Sequence, residues 1–417
     1  LRTLATLGAA LGAIGVALGA IVWFAADVVA RWLGFAAVLG DPQGVQVVRW
    51  CAIWAAVSLL TAMPGLLARS AQALVWITAV QTLAAALLWL GALALARAGH
   101  PLSAVAVLGI AISVLSACAT AVAMRRLVDW SGALSIDLAI LSSDRRFSAG
   151  MFATQVASTI VYQGDRLLIS ALASPAAAGM YALCTNLANK TLAATVALTS
   201  FAFPHAAGLQ ATGDRERLQA LVHTLDRSVA VVVMPVLLPG WFLAAPFLSL
   251  WLGSFATDDL ATVFRLLWLA FLVPAFAIPV GSLLAAQGNA ALPARFSWLT
   301  VVVVLGSIFV LVPQLGALGG AIAMLLGMST SPLFSWAARR TLKLTPAPGR
   351  GRFWAGIIIG LGGQLVLLLF FYGVLTAWWQ VLLVALAALA VFYGLRAIFR
   401  LLSPEEELLL QRLIARQ

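Results

Sequence analysis

Gln155, Thr159, Tyr162 and Arg166 follow one another at spacings of 4, 3 and 4, which on a helix of about 3.6 residues per turn gathers them within about 60° of each other. Ser158 and Asp165 border that stripe. The following segment places Thr185, Asn186, Asn189 and Lys190 in one sector of its own helix. Such groups bind rather than break bonds. Lysine offers a mobile charge for phosphate, arginine a two-pronged fork, and amides and hydroxyls pair with sugar hydroxyls. The chemistry indicated is recognition of an anionic, hydroxyl-rich molecule, whereas a site for Na⁺ or an organic cation would need several carboxylates. A structural reading stands beside it: Asp165, Arg166 and Lys190 also suit polar contacts that hold membrane helices together. Arg265 is a further candidate substrate contact near the end of a later segment. Like Asp27 with Arg31 at i+4, it also suits an interfacial anchor.

The elements that carry these groups are apolar throughout. A hydrophobic content of 63% and a mean hydropathy of +1.05 lie far above the usual soluble domain. Charges inside bilayer-length runs are costly and point to a path for a polar substrate. The pattern predicts an all-α, polytopic membrane protein with about twelve spans near 4–29, 45–67, 72–96, 101–124, 147–171, 176–204, 226–250, 262–286, 294–313, 317–338, 353–375 and 378–397.

The net charge of +11 resolves once it is sorted by loop, and it does not imply nucleic acid. Alternate connections collect Arg69, Arg125, Arg126, Arg145, Arg146, Arg215, Arg217, Arg295, Arg339, Arg340, Lys343, Arg350 and Arg352, with four more arginines at the C-terminus. The opposite side holds little beyond Arg31, Arg49 and Arg97. The positive-inside rule then places both termini in the cytoplasm. Cys51, Cys118 and Cys184 fall inside spans and give neither a disulfide framework nor metal-ligand spacing. No Gly-rich phosphate loop, metal cluster or catalytic constellation occurs, so the expectation is a non-enzymatic protein without cofactor or metal.

Two charged connections divide the chain. The expected organisation is a four-span bundle (1–124), a cytoplasmic linker (125–146), a six-span bundle (147–340), a basic hinge (341–352), an additional helix pair (353–400) and a C-terminal amphipathic helix (401–417) opened by Ser403, Pro404 and Glu406. The linker reads as an amphipathic surface segment or a plain tether. Pro235, Pro239, Pro274 and Pro279 fall in or near spans, where each frees a carbonyl and suits either a hinge or ordinary membrane-helix proline. His205 reads as a water-contacting helix end, and the tryptophans near span ends as an aromatic belt.

From Met151 onward the chain resembles the polysaccharide and O-antigen flippases of the multidrug/oligosaccharidyl-lipid/polysaccharide exporter superfamily. The stretches that carry the likeness are GDRLLISALASPAAAGMYAL from Gly164, FAFPHAAGL from Phe201, GDRERL from Gly213, WLG at Trp251, LLAAQGNAALPAR from Leu283 and GALGGAIAMLL from Gly316. The resemblance implies two bundles in a V around a cationic cavity, and it places Asp165 and Arg166 at the cavity side of the second bundle. Family members begin with six helices before the linker. Only four precede Arg125 here, so the expectation is a first bundle lacking two N-terminal helices.

The function expected is translocation of an undecaprenyl-linked oligosaccharide across the bacterial inner membrane by alternating access. Its partners would be the lipid-linked oligosaccharide, membrane lipids, a polysaccharide polymerase and glycosyltransferases. Asp165, Arg166, Lys190, Asn186, Asn189, Gln155, Tyr162, Thr159 and Arg265 would meet the substrate. The alternatives are a cation-coupled drug or metabolite antiporter on the same fold, a membrane glycan polymerase or ligase, and a scaffold without transport.

Overall fold

A glycine sets where one long apolar helix of this protein turns back, and prolines set where another needs help from its neighbours. The computed structural model describes residues 2–32, 40–62, 64–65, 74–124, 145–199, 206, 208–209, 214–345, 349–371, 373 and 375–399. The expected C-terminal helix 401–417, His205 and all but the last two residues of the linker 125–146 lie outside them. All the secondary structure described is helical, and the chain divides into two compact units, Leu1–Arg145 and Arg146–Gln417.

In the first unit α1 (Arg2–Phe24) and α2 (Ala26–Trp32) are bent by 72° at Ala25, where the sequence predicts one straight span from 4 to 29. Within α2, Arg31 Nε donates to the backbone carbonyl of Asp27 at 3.2 Å. Helices α3 (Asp41–Leu60), α4 (Leu74–Arg97) and α5 (Leu102–Met124) complete the unit, with α3 packed on both α1 and α5. Trp54 of α3 donates to Ser113 of α5 at 3.1 Å.

The second unit opens with α6 (Arg145–Thr159), a π-helical turn (Ile160–Gly164), α7 (Asp165–Leu172) and α8 (Pro175–Thr199). It continues with α9 (Arg215–Phe242), α10 (Ala244–Leu252), α11 (Asp258–Leu272), a 3-10 turn (Val273–Ala277), α12 (Ile278–Ala286), α13 (Ala291–Met328), α14 (Ser331–Thr341), α15 (Arg350–Phe370) and α16 (Trp378–Ile398). Gly316 interrupts α13 at φ 56°, ψ −129°, a left-handed backbone that favours glycine. The chain turns back there. Thr300 and Thr330 share a hydrogen bond at 2.6 Å, and Val304 packs on Gly327, so the two arms run antiparallel as the expected spans 294–313 and 317–338.

Eight helices are long and apolar enough to cross a membrane, nine counting the bent first pair, among the described residues. The Ala291–Thr341 run holds two of the expected spans in one of these. The α6–α7 and α8 segments are absent from that set because the polar residues of the candidate site lower their hydropathy. The core of the second unit gathers Tyr181, Leu267, Phe271, Val304, Ile308 and Met324 from α8, α11 and α13. Lipid is as apolar as leucine, so close packing and interhelical hydrogen bonds hold such helices together.

The last helix pair shows how. Pro235 and Pro239 lie inside α9 and lack the N–H groups that would bond the carbonyls of Val231 and Pro235. Tyr393 of α16 donates to the Val231 carbonyl at 2.9 Å, and Gln364 of α15 donates to the Pro235 carbonyl at 2.9 Å and to Ala388 at 3.0 Å. Both carbonyls freed by proline are thereby satisfied, and α9 continues unbroken to Phe242.

Candidate functional site

The polar residues of α6 and α7 form two ladders instead of the single expected stripe. On a regular α-helix a step of four residues drifts by about 40°, so three steps drift by about 120°. The π turn at Ile160–Gly164 takes up about one residue of that drift. Positions four apart therefore keep one environment along the whole segment. Ala157, Val161, Asp165 and Ile169 are all buried. Gln155, Thr159, Gln163 and Leu167 are all exposed, and Thr154, Ser158, Tyr162 and Arg166 are all half-buried. Gln155 and Thr159 thus belong to one ladder, Tyr162 and Arg166 to its neighbour.

Asp165, expected at the border of the stripe, is turned inward and fully buried. Its carboxylate accepts from the Tyr181 hydroxyl at 2.7 Å and from the backbone N–H of Arg166 at 2.7 Å. Tyr181, on α8, is itself fully buried. A Cβ on Gly320 would lie 2.5 Å from Ile169 and 3.2 Å from Tyr181, so α13 closes over this pair. Asp165 and Tyr181 make an interhelix lock, the structural alternative that the sequence left open. The sequence did not single out Tyr181. Its place one turn before Thr185, which is also buried, was the available signal.

Arg166 spans the gap between the two polar segments: its Nη2 donates to the side-chain oxygen of Asn186 on α8 at 2.9 Å. The buried Nε of the same guanidinium finds no partner among the described residues. Asn186, Asn189 and Lys190 are exposed on α8. The structure therefore brings Arg166 to Asn186, with Asn189 and Lys190 on the next turn, and leaves these donors open to a ligand.

Tyr162 points elsewhere. It stacks on Phe271 at 5.9 Å between ring centres and lines a cavity of about 420 Å³ inside the second unit, with Thr154, Ser158, Ser282 and Ser297. These hydroxyls were missed from sequence apart from Ser158. The spacing of four from Thr154 through Ser158 to Tyr162 was the available signal for Thr154, whereas Ser282 and Ser297, on α12 and α13, gave none. Arg265 is not brought to this group. Its Nε donates to the Trp241 carbonyl at 3.0 Å, one of the last four of α9, which lack intrahelical donors. No cluster of three or more metal-ligating side chains occurs among the described residues.

The sequence model of the family described as polysaccharide biosynthesis protein matches residues 6–259 of the chain. This protein belongs to the polysaccharide biosynthesis protein family. No curated protein matches it by sequence. Among solved structures, this polysaccharide biosynthesis protein is similar to one titled lipid II flippase MurJ, inward closed conformation, with a TM-score of 0.72 at 12% identity, covering 95% of this chain and 83% of that one. It is also similar to a mutant of the Vibrio cholerae MATE transporter VcmN, with a TM-score of 0.57 at 16% identity over 82% of this chain and 83% of that one. The same transporter in its bent form gives 0.54 at 16% identity, over 82% and 84%. The family member described here therefore has the fold of these exporters.

Proposed function

We propose that this polysaccharide biosynthesis protein is a flippase that moves an undecaprenyl-linked oligosaccharide across the bacterial inner membrane by alternating access. The observation that carries the reading is the Arg166–Asn186 hydrogen bond. It joins the polar faces of α6–α7 and α8 into one exposed surface that also holds Lys190 and Asn189. Lys190 and Arg166 would neutralise the pyrophosphate, while Asn186, Asn189, Gln155 and Thr159 would meet sugar hydroxyls. Tyr162 would contribute from the adjoining cavity. Asp165 would act by fixing the α7–α8 contact that aims Arg166, and Arg265 by capping α9. Family membership and the flippase among the structures of like fold both support a lipid-linked glycan as the cargo. Basic connections facing the cytoplasm, with both termini there, agree with entry from the inner leaflet.

A second reading, a cation-coupled antiporter, draws support from the buried Asp165 carboxylate and from the likeness to a MATE transporter. One experiment separates the two. The encoding gene is deleted in its host, and lipid-linked intermediates and surface glycan are analysed by mass spectrometry. Accumulation of a complete lipid-linked repeat unit with loss of surface polymer is the expected result. The combined Lys190→Ala, Arg166→Ala and Asn189→Ala variant should then fail to restore the polymer. Unchanged glycans with altered sensitivity to cationic drugs would favour the antiporter.

A further inference from the structure

The cavity of about 420 Å³ walled by α6, α12, α13 and α14 carries many hydroxyls and, among the described residues, no charged side chain. A hydroxyl offers one hydrogen and two lone pairs. On the α6 and α12 wall the hydrogens are already spent. Thr154 donates to the Gly150 carbonyl at 2.9 Å, Ser158 to that of Thr154 at 2.9 Å and Ser282 to that of Ile278 at 3.1 Å. These oxygens can still accept. On the α13 and α14 wall the hydroxyls of Ser297 and Ser331 make no hydrogen bond among the described residues. The Tyr162 hydroxyl meets the sulfur of Met328 at 3.8 Å, a weak acceptor. These three can donate.

A ligand that suits both walls must donate and accept, and it must be uncharged, because nothing on the wall compensates a buried charge. An ammonium would find no carboxylate there, and a phosphate or carboxylate no cation. An alkyl chain would leave Ser297 and Ser331 without partners, at a cost. Sugar hydroxyls donate and accept at once. The C–H face of a sugar ring suits the apolar remainder of the wall, where Phe296 and Phe334 meet edge to face at 5.6 Å, and the volume is that of an ordinary small-molecule site. We propose that this cavity is a subsite for an uncharged sugar ring. Which molecule brings the sugar rests on the flippase reading. Tyr162 on the cavity wall and Arg166 at the polar surface are successive members of one half-buried ladder, about one helical turn apart. A phosphate held at Arg166 would therefore lead directly to the ring in the cavity. That ring is the phosphate-linked sugar of the cargo, and it carries neither a carboxylate nor a free amine.

The test is saturation-transfer NMR of the full chain in lipid nanodiscs with the methyl glycosides of glucose, N-acetylglucosamine, glucuronic acid and glucosamine. Saturable transfer to the first two and not to the charged pair is the expected result. Ser297→Ala, which removes one donor, should weaken that binding about three- to tenfold, and Ser297→Leu, which also fills the space, should abolish it. If the leucine variant fails to fold, the alanine variant gives the reading. Equal binding of charged and uncharged glycosides, transfer to none of them, or wild-type binding by the folded variants would overturn the proposal. None of these readouts involves transport. Neutral-sugar binding with unchanged host glycans after gene deletion would refute the flippase and keep the subsite, whereas loss of surface polymer on deletion with no glycoside binding would do the reverse.

Discussion

Gln364 donates a hydrogen bond to the backbone carbonyl of Pro235 at 2.9 Å, a carbonyl whose usual helical donor is missing because residue 239 is also proline. Interhelical hydrogen bonds in membranes are worth about 0.6 kcal/mol on average and reach about 1.7. Gln364→Leu removes two such bonds and should lower stability by about 1–3 kcal/mol, read as an earlier thermal unfolding in detergent. The decisive variant is Pro239→Ala, which returns the N–H to α9. In that background Gln364→Leu should cost less, and an unchanged cost in the double-mutant cycle would refute the account.

This relationship was half legible in the sequence. The two prolines announce freed carbonyls, but nothing in a string of letters pairs them with Gln364 and Tyr393, more than a hundred residues away. The spans themselves were readable because the bilayer imposes length and apolarity. Even the antiparallel arms around Gly316 fell where two separate spans were expected. Arg166, Asn186, Asn189 and Lys190 also stood out in the sequence, since polar groups in apolar runs are conspicuous. The facing of Arg166 did not, because a regular 3.6-residue period was assumed through Ile160–Gly164. The bend at Ala25 was equally hidden, with no proline or glycine there to mark it.

The Asp165–Tyr181 lock should separate stability from transport. Tyr181→Phe leaves a buried carboxylate oxygen without its donor, which costs about 1–3 kcal/mol. Unfolding by heat or denaturant should report the loss. Full stability in Tyr181→Phe would mean that the bond contributes nothing to holding α7 and α8 together.

Lys190→Ala and Asn189→Ala should show the opposite profile. Both side chains are exposed, and substitutions at such positions usually stay within about 0.5 kcal/mol. Surface-polysaccharide assembly should fall while the melting temperature holds. A variant that melts early without losing transport would remove these residues from the binding surface.

Gly320 should tolerate little added volume. A Cβ there would press on Ile169 and Tyr181, and overpacking of this kind costs about 1–3 kcal/mol. Gly320→Ala should be mildly destabilising and Gly320→Val severely so, measured by the yield of folded protein and its melting point. Equal behaviour of the two would show that α13 is free to move away from the lock.

The π turn makes the segment from Arg145 to Leu172 indifferent to one residue of its own length. Elsewhere in a helix, deleting a residue swings every later side chain by about 100°. Here the wide turn already holds the surplus, so shortening Ile160–Gly164 by one would tighten it to an ordinary turn. Asp165 would still face Tyr181, and Arg166 would still face Asn186. Where the polar groups point is thus settled by the neighbours they lock onto rather than by their count along the chain.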